Sequence, residues 1–346
     1  MDATQPSSRS LVEKVTAWAL SLKPVRVWFH YVERRGPMLS DSVTYRALFS
    51  VFAAVLLGFS FAALWLSGNP QAWDALVEAV DAAIPGLLQV DGSDGLIDVT
   101  TITAPEALTI TGILSLLGLV GAAIGAIGSL RAALRTLADD IHDDAFFLWV
   151  ILRNLLLAVA IGGGFVLSAA VTVYGSTFIE TLGDWFDAGS AVADFATQAL
   201  AIVVVFVLDA GLIALAFVVL SGVKARPGRV ITGALIGGAG LIVLQQLSGL
   251  FVRGAGSNPL LASFAALIAL LLWFNLSAQV ILLASTWIIV GVAEDTDRVR
   301  EKYGTPTFEA RRVKRAEDAV RVATRELAAA QTAAAKARTP DDPKDE

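Results

Sequence analysis

Apolar residues along this chain neither alternate nor recur in narrow stripes; they come in six long runs, roughly Val43–Leu66, Ala107–Leu130, Ala145–Val173, Gln198–Leu220, Val230–Val252 and Leu261–Val292. At about 1.5 Å of rise per residue, helices of this length cross a hydrocarbon core of roughly 30 Å. Barrel strands would alternate and be about half as long. The pattern predicts an all-α fold, a polytopic bundle of six transmembrane helices occupying residues 43–293. The first run starts too far into the chain for a cleaved secretory signal and is read as a permanent anchor.

The flanks differ in kind. Within residues 1–42, Ser8–Arg35 mixes Lys and Arg with Trp18, Trp28, Phe29 and Tyr31. That composition predicts an amphipathic helix in the inner interface, bent at Pro24, rather than a solvated leader. Residues 294–346 are rich in Ala, Arg and Glu and close on Pro and Asp, which predicts a charged, solvated helix fraying into disorder. Its basic first half is close enough in composition to a headgroup-binding segment to touch anionic lipid. Between the first two runs, WDALVEAVDAAIPGLL has helical spacing and a Pro–Gly stop, the pattern of a short helix resting on the outer surface. DGSDGLID, which follows, lacks the ligand spacing of an EF-hand and reads as a turn.

Charge then sets direction. Asn69–Glu106 and Tyr174–Thr197 contain no Lys or Arg but carry Asp74, Glu78, Asp81, Asp91, Asp94, Asp98, Glu106, Glu180, Asp184, Asp187 and Asp194. Cytoplasmic segments keep their bases and translocated ones shed them, so these loops are placed outside and both termini inside. Of the 26 Lys and Arg residues, only Arg253 falls in an outer turn. Net charge, −6, matters less than this sorting. A hydrophobic content of 55% and a mean hydropathy of +0.67 agree with an integral membrane protein. The absence of Cys removes thiolate metal sites and cysteine nucleophiles.

Candidate chemistry is sparse. His30 and His142 are the two histidines. ADDIHDD (Ala138–Asp144) is where ligand types cluster, with Asp139 and Asp143, or Asp140 and Asp144, able to share a helix face; a hydrated acidic turn is the preferred reading over a metal site. No P-loop, HExxH or GxSxG is present. Catalytic residues, cofactors and metals are therefore not assigned, and no nucleic-acid partner is expected. The informative residues are polar ones inside apolar runs, where a charge costs about 2.5 kcal/mol or more. They are Arg46, Arg153, Asp209, Gln245, Gln246, Asn275 and Gln279. Arg46 and Arg153 lie near inner span ends, within reach of the headgroups. Asp209 sits mid-span in VVVFVLDAGLIALAF. Counting depth from the outer ends predicts a polar layer of Asp209 with Asn275, joined by Gln279 or Ser277, as a structural clasp or a proton-coupled step. Glycine rows (Gly118, Gly121, Gly125, Gly128; Gly162–Gly164; Gly233, Gly237, Gly238, Gly240) read as close-packing seams.

Two stretches resemble the YihY/virulence factor BrkB family. DSVTYRALFSVF (Asp41–Phe52) is similar to its opening signature, with Thr44, Tyr45 and Ser50 in place; KARPGRVITGAL and ASFAALIALLLWFNLSAQVILL are similar to its last two spans, through Gly233–Ala234 and Trp273. The chain departs from the pattern at Ala53, Leu261–Ala262 and Ala284–Ser285–Thr286, where the family has a proline, a Tyr–Gly pair and a membrane acid, as a divergent member does. The resemblance implies a six-span protein of the bacterial cytoplasmic membrane, from a family once mislabelled as a ribonuclease, with envelope-related roles. Three classes stay open. A transporter or lipid-translocating protein with membrane lipids as partners and an amphiphilic substrate leads; a non-transporting scaffold is the alternative; a membrane-bound nuclease is the weakest. Substrate, ion coupling and oligomeric state are not legible.

Overall fold

The computed structural model describes residues 11–65, 70–83, 88–89, 97–98, 110–140, 149–157, 159–160, 163–164, 190–255, 262–296 and 304–338. The chain opens with α1 (Leu11–Ser21) and α2 (Lys23–Glu33). Leu22 between them is extended, and Pro24 sits in the first turn of α2, where its missing N–H has no helical acceptor to lose. The bend expected at Pro24 is thus a break just before it.

Next come α3 (Gly36–Trp65) and α4 (Pro70–Ala83), then strands β1 (Leu88–Gln89) and β2 (Ile97–Asp98), paired in parallel. They are followed by α5 (Ile110–Leu137), α6 (149–157), α7 (Ser190–Leu220), α8 (Pro227–Ala255), α9 (Ala262–Thr296) and α10 (Phe308–Arg338). Helix α4 covers the predicted loop helix. Most of the third apolar run, most of DGSDGLID and His142 lie outside the described residues.

Among the described residues, three helices are long and apolar enough to cross a membrane, over Ile202–Leu220, Pro227–Leu247 and Leu267–Thr296. Helices α3 and α5 fall on the first two runs but overshoot them, α3 starting at Gly36 and α5 ending at Leu137. Apolarity marks the lipid-facing length of a helix, whereas its ends follow backbone hydrogen bonding and caps.

Helix α8 packs between α7 and α9; α9 also packs on α3 and α2, and α3 on α5. Glycine lets α8 hold both neighbours. A Cβ at Gly237 would stand 2.8 Å from the Ala284 Cβ of α9 and 2.6 Å from Ile213 of α7, and one at Gly238 would stand 3.2 Å from the Phe206 carbonyl. Since lipid tails are as apolar as leucine, this close van der Waals contact is what holds such helices together. The α8 seam therefore agrees with its sequence pattern. In the α5 row, no described atom lies within 4 Å of a Cβ at Gly118, Gly121 or Gly128. At one end of the bundle, Tyr31, Leu134, Leu137, Phe217, Leu220, Leu282 and Ile288 form a buried core joining α2, α5, α7 and α9. A second core sets Val77 and Leu88, from α4 and β1, against Leu48 of α3 and Leu270 and Phe274 of α9.

Candidate functional site

Two polar constellations lie within the apolar helices. In the first, Gln245 Nε2 of α8 donates to Asp209 Oδ2 of α7 at 3.2 Å. In the second, Asn275 Nδ2 of α9 donates to Asp41 Oδ1 of α3 at 2.7 Å and points to Thr44 Oγ1 at 3.5 Å, while Gln279 Nε2 donates to Asn275 Oδ1 at 2.6 Å. The expected layer of Asp209 with Asn275 is therefore corrected: these residues belong to separate pairs. Matching depth along two helices does not fix which neighbour a side chain faces. Here α8 packs far more extensively on α7 than α9 does, and Asp209 meets Gln245 of α8. Ser277 joins neither group; its hydroxyl is buried with no hydrogen-bond partner among the described residues.

The other candidates are scattered. Arg46 is exposed on α3, its Nη1 3.9 Å from where a Gly125 Cβ would lie, and Gln246 is exposed on α8. Arg153 Nη2 donates to the Val218 carbonyl at 3.4 Å, near the end of α7. A helix C-terminus has unpaired carbonyls and negative partial charge, which suits a cation there.

A third constellation lies at the end of the bundle where α2 meets α10. The last carbonyl of α5, Leu137 O, accepts from His30 Nε2 at 2.9 Å, and Arg34 Nη1 donates to His30 Nδ1 at 3.2 Å. These contacts fix the neutral tautomer with its proton on Nε2. Burial, reinforced by the Arg34 charge, pushes the His30 pKa down to about 3. Arg34 also grips both carboxylate oxygens of Asp139, through Nε at 2.9 Å and through Nη2. Asp139 adopts a left-handed conformation (φ 55°), which a short polar side chain tolerates where a helix ends. Asp140 accepts from Arg135 at 3.4 Å. In this turn, read from sequence as hydrated and acidic, the two described aspartates are thus engaged by arginines. Close by, Glu294 of α9 pairs with Lys23 at 3.6 Å, with Arg26 and with Arg229 at 3.8 Å. Arg229 also donates to both carboxylate oxygens of the neighbouring Asp295, at 3.2 and 2.7 Å.

Helix α10 covers this end. Thr307 caps it, its Oγ1 accepting from the Ala310 N–H at 3.2 Å. Arg311 binds both oxygens of Glu33, at 3.2 and 3.3 Å, and lies over the Phe29 ring. Phe308 packs edge-on against the same ring. The first turn of the tail helix is thus docked on α2 through Phe308 and Arg311, a contact the sequence does not announce, while most of its other described residues are exposed. Between α10, α2, α9 and the turns after α5 and α7 is a cavity of about 760 Å³. Its α10 wall carries Arg311, Lys314, Arg315, Asp318, Arg321 and Arg325. The three- and four-residue spacing of those positions was visible in the sequence; that this face meets another helix was not.

Apolar helices of bilayer length, with polar side chains paired between them, define a helical membrane protein. Residues 27–305 match the family described as Virulence factor BrkB, and the chain belongs to that family. It is also 22% identical over 314 residues to an uncharacterized protein of Dickeya dadantii (strain 3937), Dda3937_02003, an alignment covering 83% of this chain and 90% of that protein. This low identity fits a divergent member. No solved structure matches the chain significantly.

Proposed function

We propose that the protein is a transporter or lipid-translocating protein of the bacterial cytoplasmic membrane, with six spans, both termini in the cytoplasm and an envelope-related role. The observation that supports this reading is the chain Asp41–Asn275–Gln279 between α3 and α9. A purely structural clasp is best buried, whereas Asp41 is exposed at this seam. Asp41 stands two residues before the first apolar run, where water or a polar headgroup completes its shell while Asn275 ties it to the apolar helices. A groove that accepts headgroups along a helix seam is what an amphiphile needs to change leaflet.

The test uses liposomes holding the purified protein and lipids with a fluorophore on the headgroup, quenched by an impermeant reductant. We expect faster loss of the inner-leaflet signal than in empty liposomes, slowed several-fold by Asp41→Asn or Asn275→Leu. Rates equal to empty liposomes for phosphatidylglycerol, phosphatidylethanolamine and phosphatidylcholine alike would overturn the lipid-moving reading.

The scaffold reading draws on a different observation, the α7–α8–α9 unit closed by glycine contacts and the Asp209–Gln245 bond. Neither reading assigns a catalytic residue, a cofactor or a nucleic-acid partner. Purified protein is accordingly expected to hydrolyse RNA no faster than its His30→Ala/His142→Ala variant.

A further inference from the structure

The cavity under α10 has two chemically distinct sides. Seven Arg and Lys side chains line it against three carboxylates, Glu33, Asp139 and Asp318. Each of those acids is already engaged: Glu33 by Arg311, Asp139 by Arg34, and Asp318 by Arg321 at 2.7 Å. Glu294, outside the cavity, answers Arg26. Arg315 and Arg325 have no carboxylate partner among the described residues; Arg325 donates only to the Asp139 carbonyl, at 3.5 Å. The opposite side is apolar, with Val223 from the turn after α7 and Ile289, Val290 and Val292 from α9.

A surplus of cations around a concave space concentrates anions there. Guanidinium forks match the paired oxygens of a phosphate better than they match a monatomic ion. The size is that of a small-molecule site, since such pockets span about 300–1,000 Å³. An apolar wall facing the cations accommodates the carbon skeleton of an ester. We propose that this cavity is a binding site for a phosphate-bearing anion, with the phosphate held by Arg315, Arg325 and their neighbours on α10 and an apolar group against α9. The ligand comes either from an anionic lipid headgroup or from a soluble phosphate. Occupancy requires no translocation, so a binding measurement stands or falls apart from the transport reading.

The experiment is calorimetric titration of the full chain in phosphatidylcholine nanodiscs. The probes are dihexanoyl phosphatidic acid, inorganic pyrophosphate, dihexanoyl phosphatidylcholine and a short single-stranded RNA. Three proteins are compared: the parent, Arg315→Gln/Arg325→Gln, and Arg312→Gln, whose side chain is on α10 outside the cavity. All three changes are at exposed positions, and circular dichroism reads whether α10 is kept. We expect saturable binding of phosphatidic acid, weakened about tenfold in the double variant and unchanged in Arg312→Gln. Stronger binding of phosphatidic acid than of pyrophosphate supports a lipid headgroup; the reverse supports a soluble phosphate. The proposal is overturned if neither phosphate binds, if phosphatidylcholine binds as well, if RNA binds more tightly than both, or if Arg312→Gln weakens binding as much as the double variant.

Discussion

Gln245 of α8 reaches across to Asp209 of α7 and gives this mid-helix acid a hydrogen-bond donor at 3.2 Å. Interhelical bonds of this kind contribute about 0.6–2 kcal/mol in membranes. Gln245→Leu should therefore lower the thermal unfolding midpoint of the detergent-purified protein. Asp209→Asn keeps the shape and a hydrogen-bonding group but removes titration. A clasp predicts near-parental stability and undiminished flux for it; a proton-coupled step predicts near-parental stability and lost flux.

Glycine substitutions should separate the two glycine rows. A β-branched residue at Gly238 is forced against the α7 backbone, where even a Cβ stands 3.2 Å from Ala210 N and Phe206 O. Overpacking of this sort costs about 1–3 kcal/mol, so Gly238→Val should unfold at a clearly lower temperature. Gly121→Ala, with no described atom within 4 Å, should unfold at or above the parental midpoint. Equal losses from both would mean that Gly121, too, lies against a close neighbour.

His30 carries a pH dependence. Its pKa falls from 6.5 to about 3 on folding, so between those values the unfolded chain holds more protons than the folded one. Its contribution is complete above pH 6.5 and is lost as pH falls toward 3. His30→Gln offers the Leu137 carbonyl an N–H without titrating there. Its unfolding midpoint should decline less than the parental midpoint on acidification across this window, and parallel curves would show that the imidazole is not responsible.

Orientation is open to direct chemistry because the chain has no Cys. Single cysteines at Ser93 and Ser190 should react in intact cells with an impermeant thiol reagent, and cysteines at Ser8 or Thr339 should not. Labelling of the terminal positions from outside would reverse the proposed direction.

What the sequence discloses depends on how local the cause is. Run length located α3, α5, α7, α8 and α9, and the glycines of α8 marked a close-packed face, because both depend on neighbours a few residues away. Partners in space do not. Nothing around Asp209 says that α8 rather than α9 will face it. Likewise, the Arg–Lys stripe of α10 looks identical whether it meets water or, as here, Glu33 and a cavity. The His30–Leu137 bond is similarly unreadable: a histidine among aromatics gives no sign that it closes a distant helix end.

The grip of Arg311 on Glu33 also has a temporal side. Synthesis runs from the N-terminus, so α2 is made well before Glu294 and Arg311, which answer Arg26 and Glu33. Until α10 is made, Glu33 lacks the bond that Arg311 supplies. The α2–α10 contact is thus one that only a chain carrying both helices can make, and it ties an early segment to a late one.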